Sequence, residues 1–273
     1  MEHSYSPYPL RFPGGNTRAL VISYDDGVVQ DRRLVELLNQ HGMKGTFHLN
    51  SGFFGRNDKL DRLEGDEIAA VYAGHEISVH CVNHPSLPYC TPDTIASEIW
   101  QDRVHLEAIA GYPVRGMSYP CGTWDDTVIA LLPSLGIEYA RTIDSHGTFV
   151  LPQNLLCWHP TCHHNADLQD LGGRFLSAEI RRDPLLFHLW GHSFEFDREK
   201  NWEHIERFCE LIGKREDVWY ATSIEVADYL NAFRRLRFTA DKKLVLNPGA
   251  ATVIISAGNR NVAVGAGALV KIG

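Results

Sequence analysis

The sequence predicts an α/β fold built on parallel strands, followed by a small all-β appendage. Three observations predict it. Short apolar, β-rich runs alternate with stretches of helical spacing from Ala19 to Phe233. After about Arg237 the helical spacing stops, and only short β-like runs separated by Asn, Pro and Gly remain. The length of 273 residues allows one large domain with an appendage, or two domains. The number of strands suits a barrel or an open sheet, and periodicity alone does not choose between them.

The elements follow in order. The opening to Thr17 reads as an extended arm. Ala19 to Ser23 (ALVIS) is a buried strand, apolar and bounded by turn residues. Val28 to Gln40 has apolar residues at 34, 35, 37 and 38, a helical spacing, and Gly42 stops it. Gly45 to Leu49 is the next strand, Asp66 to Tyr72 a short helix and Ile77 to Val79 a short strand. Pro92 to Ala110 is a helix that Thr91 can cap, with Pro92 suited to the first turn and Gly111 to the end. Strands near Val114 to Tyr119 and Ile137 to Arg141 flank a helix around Asp125 to Leu132. Leu185 to Trp190 is a strongly apolar strand and Trp202 to Ile212 a helix. Val218 to Ala221 and Ser223 to Phe233 give a last strand and helix. The expected division is a main domain over 1–236 and a small β appendage over 237–273.

Composition narrows the function classes. Hydrophobic residues make up 44% and charged residues 22%, which excludes a disordered or fibrous chain. No apolar run approaches the roughly 18–20 residues of a membrane span. The first fifteen residues hold three prolines and no apolar core of a signal peptide, so a cytoplasmic location is expected. The net charge of −8 speaks against a nucleic-acid partner. The six cysteines are scattered, and reduced thiols are expected. Fourteen histidines, several of them clustered, are the first sign of chemistry.

Two motifs concentrate that chemistry. Ser23-Tyr24-Asp25-Asp26-Gly27 stands at the end of the first strand, where α/β folds build their sites. Alone it reads first as a turn with Asp26 capping the next helix, because Asp and Gly dominate turns. In Gly74-His75-Glu76-Ile77-Ser78-Val79-His80-Cys81-Val82-Asn83-His84 the two histidines at 80 and 84 are four apart. A single turn after a strand would set their rings on one side, and Pro85 disfavours any longer helix. Two histidines and a carboxylate make a hydrolytic metal site with room for water. A zincin needs Glu directly after the first His, and Cys81 stands there instead.

Taken together and in this order, SYDDG (23–27) and GHEISVHCVNH (74–84) resemble the polysaccharide deacetylase family, also called carbohydrate esterase family 4. The resemblance covers about residues 19–230. It implies a distorted (β/α) barrel of about seven parallel strands. It also implies that Asp25 is the general base and that Asp26, His80 and His84 hold one divalent metal ion. Zinc is the first expectation, with cobalt, manganese or nickel as alternatives. The family's third motif aligns with Ser118-Tyr119-Pro120-Cys121-Gly122. The family's Arg is missing there, with Arg115 or Arg141 as substitutes, and Cys121 replaces a Tyr whose backbone N–H stabilises the oxyanion. The Cys121 N–H can keep that role, while its side chain is expected to be a small buried hydrophobe. A late Leu-x-His motif supplies a catalytic acid. His188 fits the short pattern but lies inside an apolar strand. His192 follows Gly191 at the strand end and is the choice.

The implied reaction is metal-assisted hydrolysis of an acetyl group, with N-acetyl on a sugar or glycan expected first. An O-acetyl ester, a formyl group, or a weakened site that only binds carbohydrate are the alternatives. The cluster Trp158-His159-Pro160-Thr161-Cys162-His163-His164 lacks the partners of a four-ligand zinc site and reads as a loop lining or supporting the groove. The substrate is the one partner expected, with no nucleic acid and no membrane, and the oligomeric state stays open.

Overall fold

The structure is a computed structural model that describes residues 6–272 apart from 58 and 259. Its frame is a parallel sheet in the order β6-β5-β4-β3-β2-β8-β7. These seven strands are β2 (Arg18–Asp25), β3 (Thr46–Leu49), β4 (Glu76–Val79), β5 (Gly116–Ser118), β6 (Tyr139–Arg141), β7 (Cys162–His163) and β8 (Leu185–Gly191). A further strand, β9 (Val218–Tyr220), runs beside the first half of β2. Ahead of them lies the short β1 (Leu10–Arg11). The two ends of the seven-strand path are drawn together by residues 158–163. Trp158 donates its N–H to Ala140 O at 2.9 Å, and Thr161 donates to His188 O at 2.8 Å. The sheet is therefore curled into a distorted barrel, the architecture that the family resemblance implies.

Period-two alternation sorts the strand residues. Leu20, Ile22 and Tyr24 of β2, Phe47 and Leu49 of β3, and Phe187 and Leu189 of β8 pack in the outer core. There they meet the helices α1 (Asp31–Gln40), α2 (Ile68–Val71), α3 (Pro92–Ala110), α4 (Asp126–Leu131), α5 (Leu168–Ser177), α6 (Phe194–Glu199) and α7 (Trp202–Ile212). The alternate residues turn inward. Ser23, Asp25, Thr46, His48, Glu76, Ser78, Ser118, Arg141 and His188 are all buried, so the upper barrel interior is polar.

The lower interior is apolar and closed. Ala19, Val21, Leu186 and Trp158 share a second core with α8 (Ser223–Arg234) and with the C-terminal strands. These strands are β10 (Arg237–Phe238), β11 (Leu244–Leu246), β12 (Val253–Ala257), β13 (Arg260–Val264) and β14 (Leu269–Lys271). They form two three-stranded antiparallel sheets, β10-β11-β14 and β1-β12-β13. The arm of the sequence reading thus contributes an edge strand, with Leu10 opposite Ile255. Trp158, the first residue of the cluster expected to line or support the groove, is 1% exposed and belongs to this core.

Side-chain caps mark the starts of α3, α4, α5 and α8. Thr91 accepts from the Thr94 N–H, and Gly111 closes α3 with φ 74°. Thr222 and Glu225 form a capping box on α8. The sequence reading had no element for α5, whose interior glycines at 172 and 173 lower helix propensity. Gly172 is there for packing: a Cβ would lie 2.8 Å from Leu211 Cδ2 of α7. The described helices include none long and apolar enough to cross a membrane.

Candidate metal centre and active site

The upper mouth of the barrel gathers Asp25, Asp26, His80, His84 and Cys121. Asp25 is the last residue of β2, and its register partner on β3 is His48. Its carboxylate accepts from Ser118 Oγ at 2.9 Å, lies 3.2 Å from His48 Nδ1 and forms a buried ion pair with Arg141. Burial alone would raise its pKa. The guanidinium of Arg141, with His80 and His48 beside it, holds it well below the usual carboxylate range. Of the two substitutes for the missing motif arginine, Arg141 is therefore the one on the base. Arg115 pairs with Asp228 at 2.7 Å and Glu138 at 3.0 Å, away from the site.

Asp26, His80 and His84 have ligand atoms within 4.8 Å of one another. The chemistry of these donors fits a divalent ion. His80 Nδ1 lies 3.0 Å from the Ser118 carbonyl, so it carries the proton and leaves the Nε2 lone pair free, 3.9 Å from Asp26 Oδ1. Burial pushes His80 down to about 3, so its imidazole is neutral. The backbone of β4 is pinned here from α3, where Asp102 accepts from the N–H groups of Ser51 at 2.8 Å and His80 at 3.1 Å. Asn50 holds the Cys81 carbonyl at 2.9 Å.

The turn between the two histidines is not the helical turn expected from their spacing. Cys81 has φ 63° and His84 φ 53°. Two left-handed residues bend the chain back, and the rings meet edge to face with centroids 4.8 Å apart. Asp26 (φ 88°) and Cys121 (φ 57°) share this conformation. The other non-glycine residues with positive φ among those described are three lysines, at 200, 214 and 242. Left-handed backbone is unfavourable for L-residues and gathers at functional sites. Arg62 steadies Asp26 from outside, binding its backbone carbonyl and lying 3.4 Å from Oδ1.

Cys121 corrects one expectation. Its side chain is exposed rather than buried, with Sγ 3.7 Å from His84 Nδ1. Its N–H has no backbone acceptor among the described residues. All six cysteines are free.

The two histidines of the late motif differ in environment. His188 is buried in the interior, 3.2 Å from Ser23 Oγ, and burial with Arg141 nearby keeps it well below its ordinary pKa. His192 follows Gly191, which pairs with Tyr24, so it stands level with Asp25 at the mouth. Its Nδ1 is 3.6 Å from Glu195 Oε1, an ion-pair distance. Burial would lower its pKa, but Glu195, Asp25 and Asp26 together raise it. Trp190 is 8% exposed, and the Arg141 guanidinium lies over its ring at 4.8 Å. Trp124 is half-buried and donates to Asp144 at 3.1 Å. His159 faces Thr142 Oγ1 at 2.7 Å, while His163 and His164 meet at Glu195.

The sequence reading passed over His48, Arg62 and Asp102. Only His48 carried a signal, since an inward position on a strand next to DDG puts it beside Asp25.

Carboxylates and histidines thus stand together at the strand ends of this curled parallel sheet. The polysaccharide deacetylase family model matches residues 13–140 of this chain. The matched stretch holds the first three motifs and ends before His192. The chain is 27% identical over 126 residues to a chitooligosaccharide deacetylase of Bradyrhizobium sp. (strain ANU 289), covering 44% of this chain. It spans about half, 54%, of the length of that curated relative. A Mycobacterium smegmatis crystal structure assigned as a polysaccharide deacetylase superposes with a TM-score of 0.61, at 18% identity over 84% of this chain and 96% of that one. A wild-type CE4 family pseudoenzyme from Bacillus anthracis gives 0.52, at 18% identity over 82% of this chain and 70% of that one. At these identities the two structures show the fold.

Proposed function

We propose that the protein is a metal-dependent deacetylase that removes an acetyl group, N-linked first, from a sugar or glycan. The observation that carries this reading is the convergence of a buried, ionised Asp25 with the Asp26, His80 and His84 donor set at one strand-end mouth. A divalent ion bound there, zinc before cobalt, manganese or nickel, would supply Lewis-acid polarisation of the acetyl carbonyl and acidify water.

The chain's own residues do the rest. Asp25, oriented by Ser118 and Arg141, takes the proton of the attacking water. The Cys121 N–H donates to the oxyanion as it develops. His192 holds a proton beside Glu195 and delivers it to the leaving nitrogen, which would otherwise depart as a poor anion. His188 faces Ser23 in the closed interior and has a packing role.

An acetate-release assay over N-acetylated and O-acetylated sugars tests the proposal, with metal-depleted protein and Asp25→Asn as controls. Release from an N-acetyl sugar that both controls abolish is the expected result. Release from O-acetyl sugars alone would make the protein an esterase. Metal and sugar binding without any release would leave a carbohydrate-binding protein and sink the catalytic reading.

A further inference from the structure

A second group of donors lies on the other side of β2 from β4, where His163 ends β7, His164 follows it and Glu195 occupies the first turn of α6. Glu195 Oε2 is 3.1 Å from His163 Nε2 and 2.9 Å from His164 Nε2. These are hydrogen-bond distances, yet the directions are wrong. Glu195 Oε2 and His164 Nε2 are both buried, and neither has a hydrogen-bond partner among the described residues. A buried carboxylate oxygen and imidazole nitrogen in contact but unbonded call for a third party.

We propose that His163, His164 and Glu195 form a second divalent-metal site, separate from Asp26, His80 and His84. Donors that share one ion sit close to one another while each aims at the ion. With metal–ligand bonds near 2.0–2.1 Å, neighbouring donors of a tetrahedral site lie roughly 3.3 Å apart. Two imidazoles and a carboxylate select a zinc-like ion and leave a fourth position for water. His164 is held for this role. Its ring stacks on Phe196 with centroids 4.2 Å apart, and its other nitrogen meets Tyr24 Oη at 3.1 Å. His163 is less committed. Its Nδ1 accepts from the Asn165 N–H at 3.2 Å, so loading an ion on Nε2 means surrendering that contact. The opposite oxygen of Glu195 faces His192, so an ion here would be tied through one carboxylate to the proposed acid.

The test is metal stoichiometry. Chelator-treated protein is dialysed against zinc chloride and its zinc measured by elemental analysis, with circular dichroism as the folding control. The expected values are two zinc ions per chain in the wild type and one in Glu195→Gln, in His163→Ala and in His80→Ala. Because His163 is partly exposed, its variant remains informative if another fails to fold. A wild type with one ion that Glu195→Gln and His163→Ala retain would overturn the proposal and make the cluster an ion-free hydrogen-bonded hub. So would two ions retained in both variants. If instead His80→Ala keeps both ions while Glu195→Gln loses one, the first metal group fails and the second stands.

Discussion

The two ends of the barrel interior are lined by the same strands and the same alternation, and they do opposite work. The lower end is apolar: Ala19, Val21, Leu186 and Trp158 close against α8 and the C-terminal strands. The upper end is polar, with Asp25, His48, His80, Ser118 and Arg141 buried together around left-handed residues. Two steps along β2 change Val21 to Ser23, and two more reach Asp25. The difference teaches that stability and chemistry are layered along one strand direction. The floor lets the mouth hold charges and backbone conformations that would be unfavourable alone.

The largest test removes the floor. Truncation after Leu236 strips away Val245, Val253, Ile255, Val264 and Ile272, all buried. At about 1.5–3 kcal/mol for each such side chain, the loss rivals the roughly 5–15 kcal/mol of a whole domain. The truncated chain should fail to give a cooperative unfolding transition by circular dichroism. A truncated chain that folds and binds metal would show that the barrel closes without the appendage.

Arg141 should break the division, since it belongs to the mouth and yet its ion pair with Asp25 is fully buried. Arg141→Ala leaves Asp25 buried without its cation, which should destabilise the fold by about 3–5 kcal/mol in denaturant unfolding. It should also slow acetate release. A variant that loses activity alone, with an unchanged midpoint, would assign Arg141 to the chemistry only.

His192→Ala should sharpen the division. Its side chain stands at the mouth, 23% exposed, so the melting temperature and zinc content should hold while kcat falls on the order of 10²-fold. His188→Ala should do the reverse, lowering stability more than kcat. If His188→Ala is inactive and His192→Ala is close to wild type, both folded, the acid has been assigned to the wrong histidine.

The smallest effect is a pH slope. Glu76 is buried midway, accepting from the Ile224 N–H at 2.9 Å and from Tyr139 at 2.7 Å, and burial pushes it up to about 7. Its folded pKa is raised, so its contribution is fully present below its unfolded value of about 4.5 and is lost as pH rises through about 7. Glu76→Gln should flatten that part of the stability profile. An unchanged slope would put the titration elsewhere.

The sequence by itself determined a good deal. The alternation of apolar runs with helical spacing fixed the α/β class, because each local period follows from which face must be buried. Thr91, Pro92 and Gly111 marked both ends of α3, because capping is a local matter. The DDG and HxxxH motifs marked two strand ends. What tertiary structure alone decided lies in contacts between distant residues. Arg141 rather than Arg115 reaches Asp25, across 116 positions of chain. The choice depends on how β6 is staggered against β2 around the barrel, which no local pattern encodes. The gathering of His163 and His164 on Glu195 depends likewise on β7 pairing with β8. The N-terminal arm became a strand only because β12 offered it an edge. Local preferences are set by neighbours a few residues away, whereas ion pairs and sheet edges are set by packing, and only the folded chain brings those partners together.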